Sequence, residues 1–187
     1  MRIVAGKYRG RRLNAPEGRD TRPTSDRARE ALFNILSGGR YSAGVSPIPG
    51  AQVLDAFAGT GALGLEALSR GAEHIFFIEQ AAPALQALRA NIKALAAQAA
   101  CRLLASDVLH PPPSPRGPMD LVLLDPPYDK GLLTPALAAL ADKGWIGART
   151  LVVAEVMQRE ETVLPEGFTL LEARRYGKAK LLLSRLG

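Results

Sequence analysis

The chain has 187 residues, 47% of them hydrophobic, enough for one well-buried domain and little more than a short appendage. No apolar run approaches the roughly 18 residues of a bilayer span, and the opening Met-Arg-Ile-Val-Ala-Gly-Lys-Tyr-Arg-Gly-Arg-Arg sets charges where a signal peptide needs an apolar stretch, so a soluble cytoplasmic protein is expected. The net charge of +6 resides entirely in residues 1–40, which hold ten Lys/Arg against four Asp/Glu, while the remaining residues carry fourteen of each sign.

Residues 2–5 and 11–14 read as short strands joined by Gly6-Lys7-Tyr8-Arg9-Gly10, a basic hairpin with Tyr8 near its tip. Arg2, Lys7, Arg9, Arg11 and Arg12 occur there without an acid between them, an electrostatic footprint for phosphate groups. The competing reading is a solvated basic edge. After a loop over 15–22, Thr24 or Ser25 stands where it would cap a helix whose Ala28, Leu32, Ile35 and Leu36 share one face, with Arg27 and Glu30 nearer solvent. The stretch 38–50, rich in Gly, Ser and Pro, breaks the chain. It divides a basic extension, residues 1–40, from a core, residues 50–187.

Strands and helices then alternate: strand 52–57, helix 62–70, strand 74–79, helix 83–97, strand 102–105, a Pro-rich connection over 111–118, strand 121–124, helix 132–142 and strand 150–155. Such alternation predicts an α/β fold with a mostly parallel sheet covered on both faces. Residues 169–175 and 179–185 read instead as an antiparallel hairpin about Tyr176-Gly177-Lys178, closing one sheet edge. The lone Cys101 has no partner for a disulfide or for zinc and reads as a small buried apolar residue. His74 and His110 are separate in sequence and read as structural, and Trp145 as packed at a helix–strand junction.

The stretch Asp55-Ala56-Phe57-Ala58-Gly59-Thr60-Gly61 ends a strand and opens a helix, with glycines where a ligand must come close to the backbone. Glu79 lies twenty residues after Gly59 at the end of the next strand, where a carboxylate accepts hydrogen bonds from both ribose hydroxyls. Loop and acid together define a site for a nucleoside-containing cofactor, and their spacing is shared with dinucleotide enzymes. Asp125-Pro126-Pro127-Tyr128 follows the apolar strand 121–124, at the end of a sheet strand where such folds place ligands. Two prolines fix the backbone and remove two amide donors, leaving the carbonyls of Asp125 and Pro126 as acceptors. The Asp125 carboxylate and the Pro126 carbonyl suit the two N–H groups of an exocyclic base amine and would fix the direction of its nitrogen lone pair. Tyr128 is placed to stack on a base withdrawn from its helix. No separate nucleophile or metal is required.

Asp-x-Phe-Ala-Gly-Thr-Gly is similar to the first motif of class I methyltransferases, a Rossmann-like fold, whose loop holds the methionine part of S-adenosylmethionine; S-adenosylhomocysteine would be the product. By that resemblance Asp107, in Ala-Ser-Asp, bonds the adenine amino group. Together with Arg-Ile-Val-Ala-Gly-Lys-Tyr-Arg-Gly-Arg-Arg-Leu, Thr-Arg-Pro-Thr-Ser-Asp-Arg-Ala-Arg-Glu-Ala-Leu-Phe-Asn-Ile-Leu and Asp-Pro-Pro-Tyr, the chain resembles over nearly its whole length the RsmD-like guanine-N2 methyltransferases of small-subunit (16S) rRNA. The resemblance implies a guanosine substrate met during assembly of the 30S subunit, phosphate contacts from the basic arm, and a place for Arg22 beside the site. Ala56 and Thr60 stand where relatives often have Leu and Ser. A monomer is expected. The rival readings are an adenine-N6 methyltransferase, a dinucleotide-dependent oxidoreductase, and a non-enzymatic RNA-binding assembly factor.

Overall fold

The computed structural model describes residues 1–15 and 26–187. The elements run α1 (Asp26–Ser37), β1 (Gln52–Ala56), α2 (Ala62–Ser69), β2 (His74–Glu79), α3 (Ala82–Ala94), a 3₁₀ turn (Gln98–Ala100), β3 (Cys101–Ala105), β4 (Leu121–Leu124), α4 (Leu133–Asp142), β5 (Leu151–Met157), β6 (Phe168–Tyr176) and β7 (Ala179–Leu186). The expected alternation holds to within three residues at each boundary. Arg22, the cap candidates Thr24 and Ser25, and the side chains of Arg27 and Ala28 lie outside the described residues.

One seven-stranded sheet has the order β3-β2-β1-β4-β5-β7-β6. Strands β1 to β5 pair in parallel, and β7 pairs antiparallel with β5 on one side and β6 on the other. The C-terminal hairpin thus closes an edge as expected, with its second strand inserted between the first and the parallel sheet. Strand β4 is buried throughout, because helices cover both faces of the sheet's centre. Side chains alternate between those faces. Val53, Ile75, Leu123 and Val153 pack with Phe33, Leu65 and Leu88 of α1, α2 and α3, while Leu54, Phe76, Val122 and Val152 pack with Leu137 and Leu140 of α4. Trp145 fills the second layer, edge-on to Phe76 with its indole N–H donated to the Pro112 carbonyl at 2.7 Å. Cys101 is half-buried, and burial pushes its thiol up to about 12.

Ile3 and Leu13 of the N-terminal arm join the first layer, as do Leu32, Phe33 and Leu36 of α1. Phe33 was not on the predicted helix face; it is fully buried, whereas Ile35 is only partly so. The arm has one antiparallel bridge, Arg2 with Arg12, rather than two full strands. Its edge amides turn instead to α2: Val4 N and Ala5 N donate to the Glu66 carboxylate at 2.7 and 3.0 Å, and Lys7 N to the Ser69 carbonyl at 2.7 Å. Gly6 makes this approach possible, since a Cβ there would lie 1.8 Å from the Ser69 carbonyl oxygen. Arg29, fully buried, donates to the Arg2 carbonyl at 2.6 Å and lies 3.8 Å from Glu66. Burial of Ile3 and Leu13 adds roughly 2 kcal/mol each to this attachment.

Candidate active site

The sheet order reverses at β1, from which the chain proceeds outward to β2 and β3 on one side and later to β4 and β5 on the other. Ligands of open α/β sheets bind beyond the carboxyl ends of the strands at such a switch point. A cavity of about 560 Å³ opens there, lined by residues 57–60 after β1, 79–81 after β2, Ser106 and Val108 after β3, and 125–128 after β4. The glycine loop and the Asp-Pro-Pro-Tyr motif, some seventy residues apart in sequence, line the same cavity.

The loop is built under constraint. Phe57 takes φ = 60°, a left-handed conformation unfavourable for a side chain of its size, and lines the cavity. Gly61, at φ = 80°, caps α2; a Cβ there would meet Leu88 Cδ1 at 2.3 Å. Glu79 clamps the turn: one carboxylate oxygen accepts the Gly59 amide and the other those of Gln80 and Ala81, all at 2.8 Å. A ribose would therefore meet a carboxylate whose orientation is already fixed. Asp55, only 1% exposed, accepts the Gly64 amide at 2.8 Å and so joins the strand end to the first turn of α2.

Among the described residues, the charged side chains that line the cavity are the acids Asp55, Glu79 and Asp125. Burial, reinforced by the charges of Asp125 and Glu79 and opposed by the Gly64 amide, holds the Asp55 carboxyl well above the usual carboxylate range. The carboxylates of Glu79 and Asp125 offer acceptors for cationic and donating groups. Sulfonium and ammonium groups, ribose hydroxyls and an adenine amine are cationic or donating, so the acids and carbonyls present fit S-adenosylmethionine. Among the described residues no cluster of three or more His, Cys, Asp and Glu is arranged to hold a metal ion.

The predicted residues are not all placed alike. Asp55, Phe57, Gly59, Thr60, Glu79, Asp125, Pro126, Pro127 and Tyr128 line the cavity. Gly61 shapes the loop from behind. The Asp107 carboxylate faces its own turn, accepting the Leu109 amide at 3.0 Å and lying 3.3 Å from His110 Nδ1, while Ser106 and Val108 form the wall there. On the arm, Arg2, Lys7, Arg9, Arg11 and Arg12 are exposed. Arg2 and Arg12 flank an open cleft with Met1 and Gly10. Arg11 donates to the Ala94 carbonyl at the end of α3, 2.8 Å away, a favourable place for a cation. Tyr8 is half-buried against the core, with the Lys7 ammonium 5.2 Å from its ring centre.

Four contributors gave little or no signal in the sequence: Met1, Ala15, Asn91 and Glu155. Met1 and Ala15 of the arm line the cavity. Asn91 of α3, 1% exposed, accepts the Asn14 amide at 2.7 Å and donates to the carbonyls of Asn14 and Thr60 at 3.0 and 2.9 Å, tying arm to glycine loop. Glu155 of β5, 3% exposed, accepts the Tyr128 hydroxyl at 2.5 Å. The one signal for Glu155 was an acid inside the apolar strand Val-Val-Ala-Glu-Val; an asparagine on an Ala/Leu helix gave none.

Residues 1–185 match the family described as Conserved hypothetical protein 95. The chain is 40% identical over 155 residues to ribosomal RNA small subunit methyltransferase D of Escherichia coli strain K12, covering 83% of this chain and 74% of that protein. It is 33% identical over 184 residues to the Haemophilus influenzae protein of the same name, covering 95% and 89%. The solved structure of yhhF from Escherichia coli, which carries a provisional methyltransferase name, superposes with a TM-score of 0.81 at 35% identity over 100% of this chain and 99% of its own. The fold is that of the class I methyltransferases, and the chain belongs to the Conserved hypothetical protein 95 family together with the small-subunit rRNA methyltransferase D proteins that its motifs resemble.

Proposed function

We propose that the protein transfers the methyl group of S-adenosylmethionine to the exocyclic N2 of a guanosine in small-subunit ribosomal RNA, acting as a cytoplasmic monomer on an assembling or assembled 30S subunit. The observation that carries this reading is a cavity at the switch point whose charged side chains, among the described residues, are acids, and which both the Glu79-clamped loop and Asp125-Pro126-Pro127-Tyr128 line. The names of the relatives supply the substrate class.

When bound, the cofactor supplies a methyl group on a positively charged sulfur. Residues 57–61 and Asp55 frame the methionine portion, Glu79 receives the ribose, and Ser106 and Val108, on the turn that Asp107 closes, flank the adenine. The Asp125 carboxylate and Pro126 carbonyl accept the two N–H groups of the target amine, favouring a pyramidal nitrogen aimed at the methyl group. Pro127 stiffens this row, and Tyr128 stacks on the base. Residues 1–40 form the RNA-contact extension and residues 50–187 the catalytic domain. Arg2, Lys7, Arg9 and Arg12 grip phosphates without reading sequence, with Arg11 and Tyr8 bracing the arm on the core; Arg22 lies outside the described residues.

Two assays test the reading. S-adenosylhomocysteine is expected to bind and NAD is not; the reverse would point to a dinucleotide enzyme. Labelled methyl is expected on small-subunit rRNA and not on adenine-containing oligonucleotides lacking guanine, and labelling of the latter alone would overturn the substrate assignment.

A further inference from the structure

Glu155 is a buried acid that neither cofactor nor base would touch. In the β4–β5 register Leu124 pairs with Ala154, which sets Glu155 level with Asp125, the first residue beyond β4. Alternation along β5 puts its side chain on the same sheet face as Leu151 and Val153. One oxygen, Oε1, accepts the Tyr128 hydroxyl at 2.5 Å; the other, Oε2, is buried with no hydrogen-bond partner among the described residues. Burial drives the carboxyl above its usual range, and the Tyr128 hydroxyl draws it partly back. Burying a carboxyl with an unsatisfied oxygen is destabilising, and an apolar residue would fill this β5 position at lower cost. What an apolar residue lacks is an acceptor for the Tyr128 hydroxyl.

We infer that Glu155 is a positioning residue: through its hydrogen bond it fixes the plane of the Tyr128 ring against which the target base stacks, and thereby the approach of the base amine to the Asp125 and Pro126 acceptors. Tyr128 sits between the rigid prolines and Asp129, which takes φ = 58°, so the hydroxyl contact is the far anchor of a ring whose near end is set by the backbone. The inference rests on the reading in which Tyr128 meets the base.

The test combines steady-state methyl transfer with a double-mutant cycle. Glu155→Leu is expected to lower kcat roughly tenfold, the factor that one lost hydrogen bond to a charged or strongly polar acceptor corresponds to, while leaving the KM for S-adenosylmethionine and the binding of S-adenosylhomocysteine unchanged. Tyr128→Phe, which removes the same bond from the other side, is expected to match it, and the double variant to lose no more than either single one. Glu155→Gln, whose amide oxygen still accepts the hydroxyl, recovers most of the turnover. Multiplicative losses in the cycle, or Glu155→Leu at wild-type kcat, would overturn the inference. Should Glu155→Leu fail to fold, Tyr128→Phe carries the test by itself, and wild-type turnover in that variant refutes the positioning role. Full turnover in Tyr128→Ala would instead discard the stacking role on which the inference rests, and the two failures are thereby told apart.

Discussion

Replacing Asn91 by leucine keeps the number and branching of side-chain heavy atoms and removes three hydrogen bonds: one accepted from the Asn14 amide, and two donated to the carbonyls of Asn14 and Thr60. The amide orientation is dictated by these partners, because only an oxygen suits the Asn14 N–H and only an NH₂ suits the two carbonyls. The losses are unequal. Asn14 is exposed, so its groups regain water when the arm loosens and cost about 1 kcal/mol or less together. The bond to the Thr60 carbonyl is buried, and leaving that carbonyl without the amide costs about 1–3 kcal/mol. A net destabilisation of about 2 kcal/mol is expected by urea denaturation. Because Thr60 lies in the loop that lines the cavity, part of that loss appears in cofactor binding, as an S-adenosylhomocysteine dissociation constant raised about tenfold by calorimetry. Asn91→Leu with stability within about 0.5 kcal/mol of wild type and unchanged cofactor affinity would refute the reasoning.

Glu66→Gln, at a fully buried side chain, replaces one of the oxygens that hold Val4 and Ala5 by an NH₂ group and removes a negative charge beside Arg29 and Arg70. A loss of about 3 kcal/mol is expected by thermal or urea unfolding, with arm-dependent RNA binding weakened in parallel; loss of stability without loss of RNA affinity would argue against the arm as the RNA contact. Asp55 tests the electrostatic consequence of its burial beside Asp125 and Glu79. Its folded pKa is raised, so the native state holds the proton more tightly than the unfolded chain, and its contribution to stability is present below about pH 4 and is lost as pH rises toward the folded value. Asp55→Asn, which cannot titrate, is expected to gain stability relative to wild type as pH rises above about 4; a pH-independent difference would contradict the electrostatic account. The double change Arg2→Ala and Arg12→Ala, at two exposed residues that flank one cleft, is expected to lower the slope of log binding constant against log salt by about 1.5 to 2 for RNA of any sequence. An unaltered slope would remove the cleft from the interface.

The sheet was legible because its strands are short apolar runs separated by amphipathic helices, and β2 and β4 coincide with the expected 74–79 and 121–124. The glycine loop, Glu79 and Asp125-Pro126-Pro127-Tyr128 were legible for a related reason, since strand ends converge at a switch point whatever connects them. Contacts between distant segments were not. The arm pairs with itself as expected, through Ile3 N to the Arg11 carbonyl, Gly10 N to the Ile3 carbonyl and Leu13 N to the Met1 carbonyl, but nothing in its sequence showed that Val4, Ala5 and Lys7 would donate to Glu66 and Ser69 of α2, an approach that Gly6 permits. The resemblance assigned Asp107 to the adenine, and the structure adds that its side chain also closes the Asx turn that its own loop favours. Glu155 and Asn91 lie inside regular elements, and their roles depend on Tyr128, Asn14 and Thr60, side chains and carbonyls that only the assembled sheet and its helices bring near.

The central claim is the chemical identity of the acceptor. Unmodified small-subunit rRNA, free and in particles, is incubated with the protein and labelled S-adenosylmethionine, and the product is digested to nucleosides. The account predicts N2-methylguanosine, abolished by Asp125→Ala in a variant that still binds S-adenosylhomocysteine; label recovered as N6-methyladenosine, or N2-methylguanosine formed undiminished by Asp125→Ala, would contradict it.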